Sequence, residues 1–467
     1  MIKYILIIFI IFAQTAFSYE NETLIKIIGA SYSENVSYHF LERICDEAGG
    51  RIAGSPEDKE ALNILTEEAA KLGMEVKLEP FKMPGWVRGK NKVRMLSPAE
   101  RDLRVAALGY VVKADLINAE IIDAKWGYEE DYEGIEPAGK ILLIDQGYAK
   151  GRERRYRYEI INTAADRGAL AILFINTKEG GLTLSGVSNF DGKPCAIPAY
   201  SLTKEEGLWI KRLLKRNIAV ELEIETNSYI QEVETANAVI TFPGETDSSI
   251  VIGAHIDSWD IGQGAIDNGQ GSAVLFELAR VFNQVSPRNH YSVKMVWFNG
   301  EELGLWGSKE YARRHSGETA AMINLDMTGK PTGINIMGFD DYKKPFTDLM
   351  ETKLKGYNLE KGIDNNPWSN SDHIHFMFEG IPSFTFHGHL DKEQYWYYHD
   401  FGDTFDKANK EYYAHGAAVI GAFVYEMANN PAIQHRRLKR GEVIKLLEDH
   451  KLLDQVKRQK MWIYSED

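Results

Sequence analysis

The sequence predicts an α/β fold, an open sheet flanked by helices and interrupted by an inserted module. Three observations carry this. From Ala236 to about Met427, strand-like apolar runs alternate with helical patterns. Ser249–Gly253 is apolar enough for a strand buried on both faces. Between about Tyr110 and Glu225 the texture shifts to short strands with few helices. At 467 residues the chain also exceeds one small core.

The elements follow in order. Lys3 precedes an apolar run from Tyr4 to Phe12, and Ala16-Phe17-Ser18 places small residues where a leader is cut. The run is shorter than the roughly 20 residues of a bilayer span. Residues 1–18 therefore read as a cleaved signal peptide, with an uncleaved anchor as the alternative. Ser55-Pro56-Glu57-Asp58 opens a helix: Ser55 caps it, Pro56 fits its first position, and Asp58 closes a capping box. Ala61, Leu62, Leu65, Ala69 and Leu72 continue at helical spacing to Gly73, and Met74–Phe81 reads as a strand. Within the module, Gly139–Asp145 and Ala169–Ile175 are strands around a helix at Glu159–Arg167, and another helix starts near Thr203. Beyond it come strand Ser249–Gly253, helix Gly271–Phe282, strand Ser292–Phe298, a helix ending at Tyr311–Arg314, and strands Ala321–Leu325 and Ile381–Phe386. Arg436 to about Trp462 reads as one charged amphipathic helix.

A hydrophobic content of 44% and a charged content of 26% describe an ordinary folded protein. The net charge of −14 argues against a nucleic-acid surface. The basic run Gly151–Tyr158 is short and reads as a solvated loop. Cys45 and Cys195 lack metal-ligand spacing; they either pair or pack as two thiols.

The chemistry lies at strand ends. His255 follows the Ser249–Gly253 strand, Glu301 and Glu302 follow Ser292–Phe298, Asp326 ends Ala321–Leu325, and His399 lies beyond Ile381–Phe386. In open α/β sheets ligands gather outside the carboxyl ends of the strands, so these residues converge. Imidazole and carboxylate are ordinary zinc ligands. Asp267, in glycine-rich Ala265–Ser272, can place one oxygen on each of two ions. Two such ions about 3.5–4 Å apart hold a hydroxide between them and polarise a carbonyl. Asp257 is suited to orient His255, and Asp403 to do the same for His399. Of the adjacent carboxylates, Glu302 is assigned to metal, which leaves Glu301 as the general base.

Several motifs then resemble one family. Gly253–Ser258, Asp267-Asn268-Gly269, Asn299–Ser308, Asn324–Met327, Ser371-Asp372-His373 and Tyr398–Thr404 match the dizinc exopeptidases that include aminopeptidase Y, glutamate carboxypeptidase and carboxypeptidase Q. Gly50–Pro56 and Pro84–Gly89 look most like the carboxypeptidase Q branch. The resemblance covers nearly the whole mature chain, the part after about Asn430 least. It implies a mixed, mostly parallel central sheet flanked by helices. It implies an inserted protease-associated domain over 113–227, between peptidase segments 19–112 and 228–467. It implies two zinc ions per chain, one on His255 and Asp326, one on Glu302 and His399, bridged by Asp267. A cis bond between Asp267 and Asn268 is implied too.

The function so implied is secreted hydrolysis of terminal peptide bonds in short peptides, with Glu301 as base. A homodimer fits the same resemblance. A receptor-like relative, a glutaminyl cyclase-type acyltransferase and another dimetal hydrolase are the competing readings. The terminus attacked stays open: Arg88, Asn370, Asp372, His373 and His387 either hold the substrate terminus or only pack.

Overall fold

The structure, a computed structural model, describes residues 22–464. The expected leader lies outside them. Among the described residues no helix is long and apolar enough to cross a membrane.

The sheet that carries the candidate site has eight strands: β1 (Lys77–Val87), β2 (Tyr229–Phe242), β3 (Ser249–His255), β4 (Ser292–Phe298), β5 (Thr319–Asn324), β6 (Lys330–Asn335), β7 (Gly362–Asp364) and β8 (Ser383–His389). Their order is β1-β2-β4-β3-β5-β8-β6-β7. The centre, β4-β3-β5-β8, is parallel, whereas β1-β2, β2-β4 and β8-β6 pair antiparallel. The sheet is therefore mixed, as the resemblance implied.

Every residue of β3 is buried because helices cover both faces. Ile250 and Ile252 share a core with helices Pro56–Lys71, Gln270–Val285 and Lys410–Asn429. Val251, on the opposite face, packs with Tyr311 of helix Trp306–His315 and Phe376 of helix His373–Phe378. From β3 the chain passes to β4 on one side, then to β5 on the other. The carboxyl end of β3 is thus a topological switch point, where such sheets open a crevice.

The second sheet also has eight strands, all between Asn91 and Thr226. Its terminal strands, Arg101–Leu103 and Val105–Ala107, are chain neighbours across Arg104, so the sheet curls back on itself. Strand Asn91–Ser97 pairs with Glu221–Thr226, and the chain enters and leaves where Asn227 N–H donates to Lys90 O at 3.0 Å.

Three local readings change. Asp58 Oδ2 accepts from Gly54 N–H, not from Ser55 N–H, so the capping box is not closed, although Ser55 Oγ does cap Asp58 N–H at 3.1 Å. The C-terminal segment forms two helices, Arg440–Asp449 and Leu453–Arg458, broken where Lys451 takes a φ of 59°. Within the basic run, residues 151–154 are exposed, but Arg157 begins helix Arg157–Asp166 and is half-buried. Cys45 and Cys195 are free thiols in separate cores.

Candidate metal centre

The crevice gathers the strand-end residues. His255 ends β3, Glu301 and Glu302 follow β4, Asp326 lies two residues past β5, and Asp267 sits just before helix Gln270–Val285. His399 lies beyond β8 with a φ of 56°. The Asp267–Asn268 peptide bond is cis. Asn268 ties the loops together: Nδ2 donates to Leu325 O at 2.8 Å, and Oδ1 accepts from Met327 N–H at 3.0 Å, on either side of Asp326.

Two groups of ligand atoms result, His255 with Asp267 and Asp326, and Asp267 with Glu302 and His399. His255 Nε2 lies 3.2 Å from Asp267 Oδ1 and 3.6 Å from Asp326 Oδ1. His399 Nε2 lies 2.9 Å from Asp267 Oδ2 and 3.1 Å from Glu302 Oε2. Asp267 gives one oxygen to each group. Ligands about 2.1 Å from a tetrahedral zinc stand roughly 3.4 Å apart, so these spacings suit zinc.

The electrostatics also call for cations. Glu301, Glu302, Asp267, Asp326 and Asp372 crowd one buried region, and Glu302 Oε1 has no hydrogen-bond partner. Burial, against partial relief by His399, pushes the Glu302 carboxyl up to about 7. Burial likewise raises Glu301 well above the ordinary range, and the neighbouring carboxylates add to the rise. Burial alone would lower both imidazoles, but the surrounding carboxylates outweigh it; His255 is raised strongly and His399 to about 10. Charges of one sign held this close are stable with bound metal, or with protons in its place.

The supporting shell differs in part from the expected one. The Asp257 carbonyl accepts from His255 Nδ1 at 3.1 Å, whereas its carboxylate is 3.7 Å away. That carboxylate instead accepts the backbone N–H groups of Glu301 and Glu302, each at 3.2 Å. Asp403 does not reach His399. Its two oxygens accept from Ile266 N–H at 2.8 Å and Asp267 N–H at 3.0 Å, fixing the shared ligand's loop. Arg51 is fully buried and donates to the carbonyls of Gly49, Ile256, Gln263 and Gly264. It thereby shapes the segment between His255 and Asp267.

Most proposed substrate contacts are spent elsewhere. Arg88 grips Asp260 at 2.8 Å and donates to Ala107 O. His387 pairs with Asp364 at 3.2 Å, and Asn370 accepts from Gln455. His373 is buried against Trp368 O at 2.8 Å, and burial lowers it to about 4. Asp372 is also fully buried, without a hydrogen-bond partner, and burial raises it to about 7.

Sequence reasoning passed over Tyr398. Its ring stacks on His399 with centroids 3.7 Å apart. Burial raises its phenol strongly, and the nearby carboxylates of Asp267, Glu302, Asp326 and Glu301 raise it further. The aromatic run Tyr395–Tyr398 ahead of a ligand histidine was the available signal. The inserted domain braces the same loop: Ser185 N–H donates to His399 O at 2.9 Å, and Thr183 N–H to Asp400 Oδ2 at 2.7 Å.

Comparison with known proteins agrees with this geometry. Residues 237–424 match peptidase family M28, and residues 112–210 match the PA domain. Carboxypeptidase Q of Xenopus laevis is 26% identical over 404 residues, covering 82% of this chain and 84% of that protein. Aminopeptidase YwaD of Bacillus subtilis is 27% identical over 405 residues, covering 84% of each. A peptidase M28 precursor from Shewanella amazonensis superposes with a TM-score of 0.78 at 27% identity, covering 90% of this chain and 99% of that one. The zinc aminopeptidase BSAP of Bacillus subtilis, at 22% identity and a TM-score of 0.68 over 86% of this chain and 97% of that one, shares the fold.

Proposed function

We propose that this chain, a metallopeptidase of family M28 with a PA domain inserted in it, is a secreted dizinc exopeptidase acting on short peptides. One observation carries the reading: two ligand groups share Asp267 beside Glu301, whose carboxylate receives no hydrogen bond from the described residues.

His255, Asp326 and Asp267 would hold one zinc, and Glu302, His399 and Asp267 the other. Zinc held there would supply a Lewis acid for the scissile carbonyl and acidify the attacking water. Glu301 takes the proton of that water and hands it to the leaving amine. Its backbone is fixed for this by Asp257, which accepts both glutamate N–H groups. The Tyr398 hydroxyl, near the same carboxylates, donates to the carbonyl oxygen as charge builds on it. The inserted domain holds the His399 loop in place.

The test is Glu301→Gln. It keeps the shape and removes the base, so kcat should fall by about 10²–10⁴-fold. Zinc content should stay that of the wild type, since Glu301 belongs to neither ligand group. Turnover near the wild-type rate would overturn the assignment.

A further inference from the structure

An exopeptidase must grip one charged terminus of its substrate. An acceptor is needed for a free amine, and a cation for a free carboxylate. Most acids around the crevice are committed. Asp257 and Asp403 hold backbone N–H groups, Asp260 holds Arg88 and Asp400 holds Thr183; Asp372 is unpartnered but fully buried away from solvent.

The cations are not all committed. Among the described residues Arg157, on the inserted domain, has no carboxylate beside it: Tyr398 and Arg154 are the ionisable groups that act on it. Its hydrogen bonds are three long ones, 3.2–3.4 Å, to the carbonyls of Leu184 and Ser185. A guanidinium carries five N–H donors, so two of them stay available beside three that are held only at long distance. A side chain on Gly186 would collide with Nη1, so the glycine keeps the space around the guanidinium open. Burial pulls Arg157 down to about 10, which leaves it charged at neutral pH. Lys178 stands on the same side, with its ammonium 5.7 Å from the Tyr398 ring centroid.

The position relates directly to the metal centre. Ser185 accepts from Arg157 through its carbonyl and donates its N–H to His399 O. Tyr398, stacked on His399 with ring centroids 3.7 Å apart, is the residue whose phenol interacts with both the guanidinium and the ligand carboxylates. Arg157 therefore flanks the loop that carries His399. In a substrate, the terminal carboxylate stands one residue, roughly 4 Å, beyond the scissile carbon.

We propose that Arg157 binds the free α-carboxylate of the substrate's last residue, which makes the enzyme a carboxypeptidase or dipeptidase. The planar fork of a guanidinium matches a carboxylate with two parallel hydrogen bonds. The proposal rests on the peptidase reading above.

The test compares an N-acetylated dipeptide as free acid and as C-terminal amide, using zinc-loaded wild type, Arg157→Gln and Arg157→Lys. Wild type should prefer the free acid in kcat/KM by about 10–100-fold, the range of a charged hydrogen-bonded contact. Arg157→Gln should bring that ratio near one by raising KM for the acid, with the amide unchanged. Arg157→Lys should restore part of it. Binding of the free acid to Glu301→Gln enzyme, by calorimetry, should weaken on adding Arg157→Gln and that of the amide should not. An unchanged ratio, or an equal loss on acid and amide, would overturn the proposal. A wild type that cleaves neither acetylated peptide but does cleave the same dipeptide amide with a free amine would overturn this proposal alone, and one that also leaves the fully unblocked dipeptide intact would sink the peptidase reading with it.

Discussion

Asp403→Asn isolates the support beneath the ligand that both groups share. The Asp403 carboxylate accepts the backbone N–H groups of Ile266 and Asp267, at 2.8 and 3.0 Å. Asparagine keeps one acceptor oxygen and turns an amide NH₂ toward the other donor. One charge-assisted hydrogen bond, about 1.5–3 kcal/mol, is lost. The other becomes a neutral bond of about 0.5–1.5 kcal/mol. Asp267 serves both groups, so loosening its loop should weaken both sites together, and outer supports of this kind are worth about 10–100-fold in metal affinity. The assay is zinc competition against a chromophoric chelator, alongside kcat/KM. It is run at pH 8, because burial raises Asp403 to about 7 and the carboxylate must be ionised. Zinc affinity should fall by about 10–100-fold while the zinc-free protein remains folded by circular dichroism. Affinity and activity equal to wild type would refute the idea that Asp403 positions the shared ligand.

Two further outcomes follow. Arg51→Met strips the donors from four carbonyls, of which the buried bonds to Ile256 and Gly264 are each lost at about 1–3 kcal/mol, so urea unfolding should show a loss of at least about 2 kcal/mol; a loss below about 1 kcal/mol would contradict that role. The pH dependence should reverse with metal. In the zinc-free protein His255 and His399 are raised, and Glu301, Glu302, Asp372 and Asp403 are raised as well, so at these sites the folded state holds more protons than the unfolded one. Their contribution to stability then falls as pH rises: the carboxyls act from their ordinary range up to about 7, and His399 from 6.5 to about 10. Zinc displaces those protons, so the rise in Tm on adding zinc should grow from pH 6 to pH 9. A zinc-induced shift that shrinks over that range would refute it.

The parts of the site legible in sequence are those whose signal is local. His255, Glu301, Glu302 and Asp326 each follow an apolar run at once, so strand ends alone bring them together. What stayed hidden depends on partners far along the chain or on backbone atoms. Asp403 serves two backbone N–H groups 136 and 137 positions away, and no side-chain pattern encodes that. Asp58 has the spacing of a capping residue, yet its carboxylate is spent on Gly54, Thr235 and Asn299, which binds it to the strand end bearing Glu301. Strand Asn91–Ser97 belongs to the inserted sheet only through pairing with Glu221–Thr226. The break at Lys451 carries no glycine or proline, so an unbroken helix was the natural reading.

The most direct measurement is anomalous scattering at the zinc edge from crystals of the zinc-loaded enzyme. Two peaks should appear, one among His255, Asp267 and Asp326 and the other among Asp267, Glu302 and His399. A single peak, or peaks away from Asp267, would contradict a centre built on one shared aspartate.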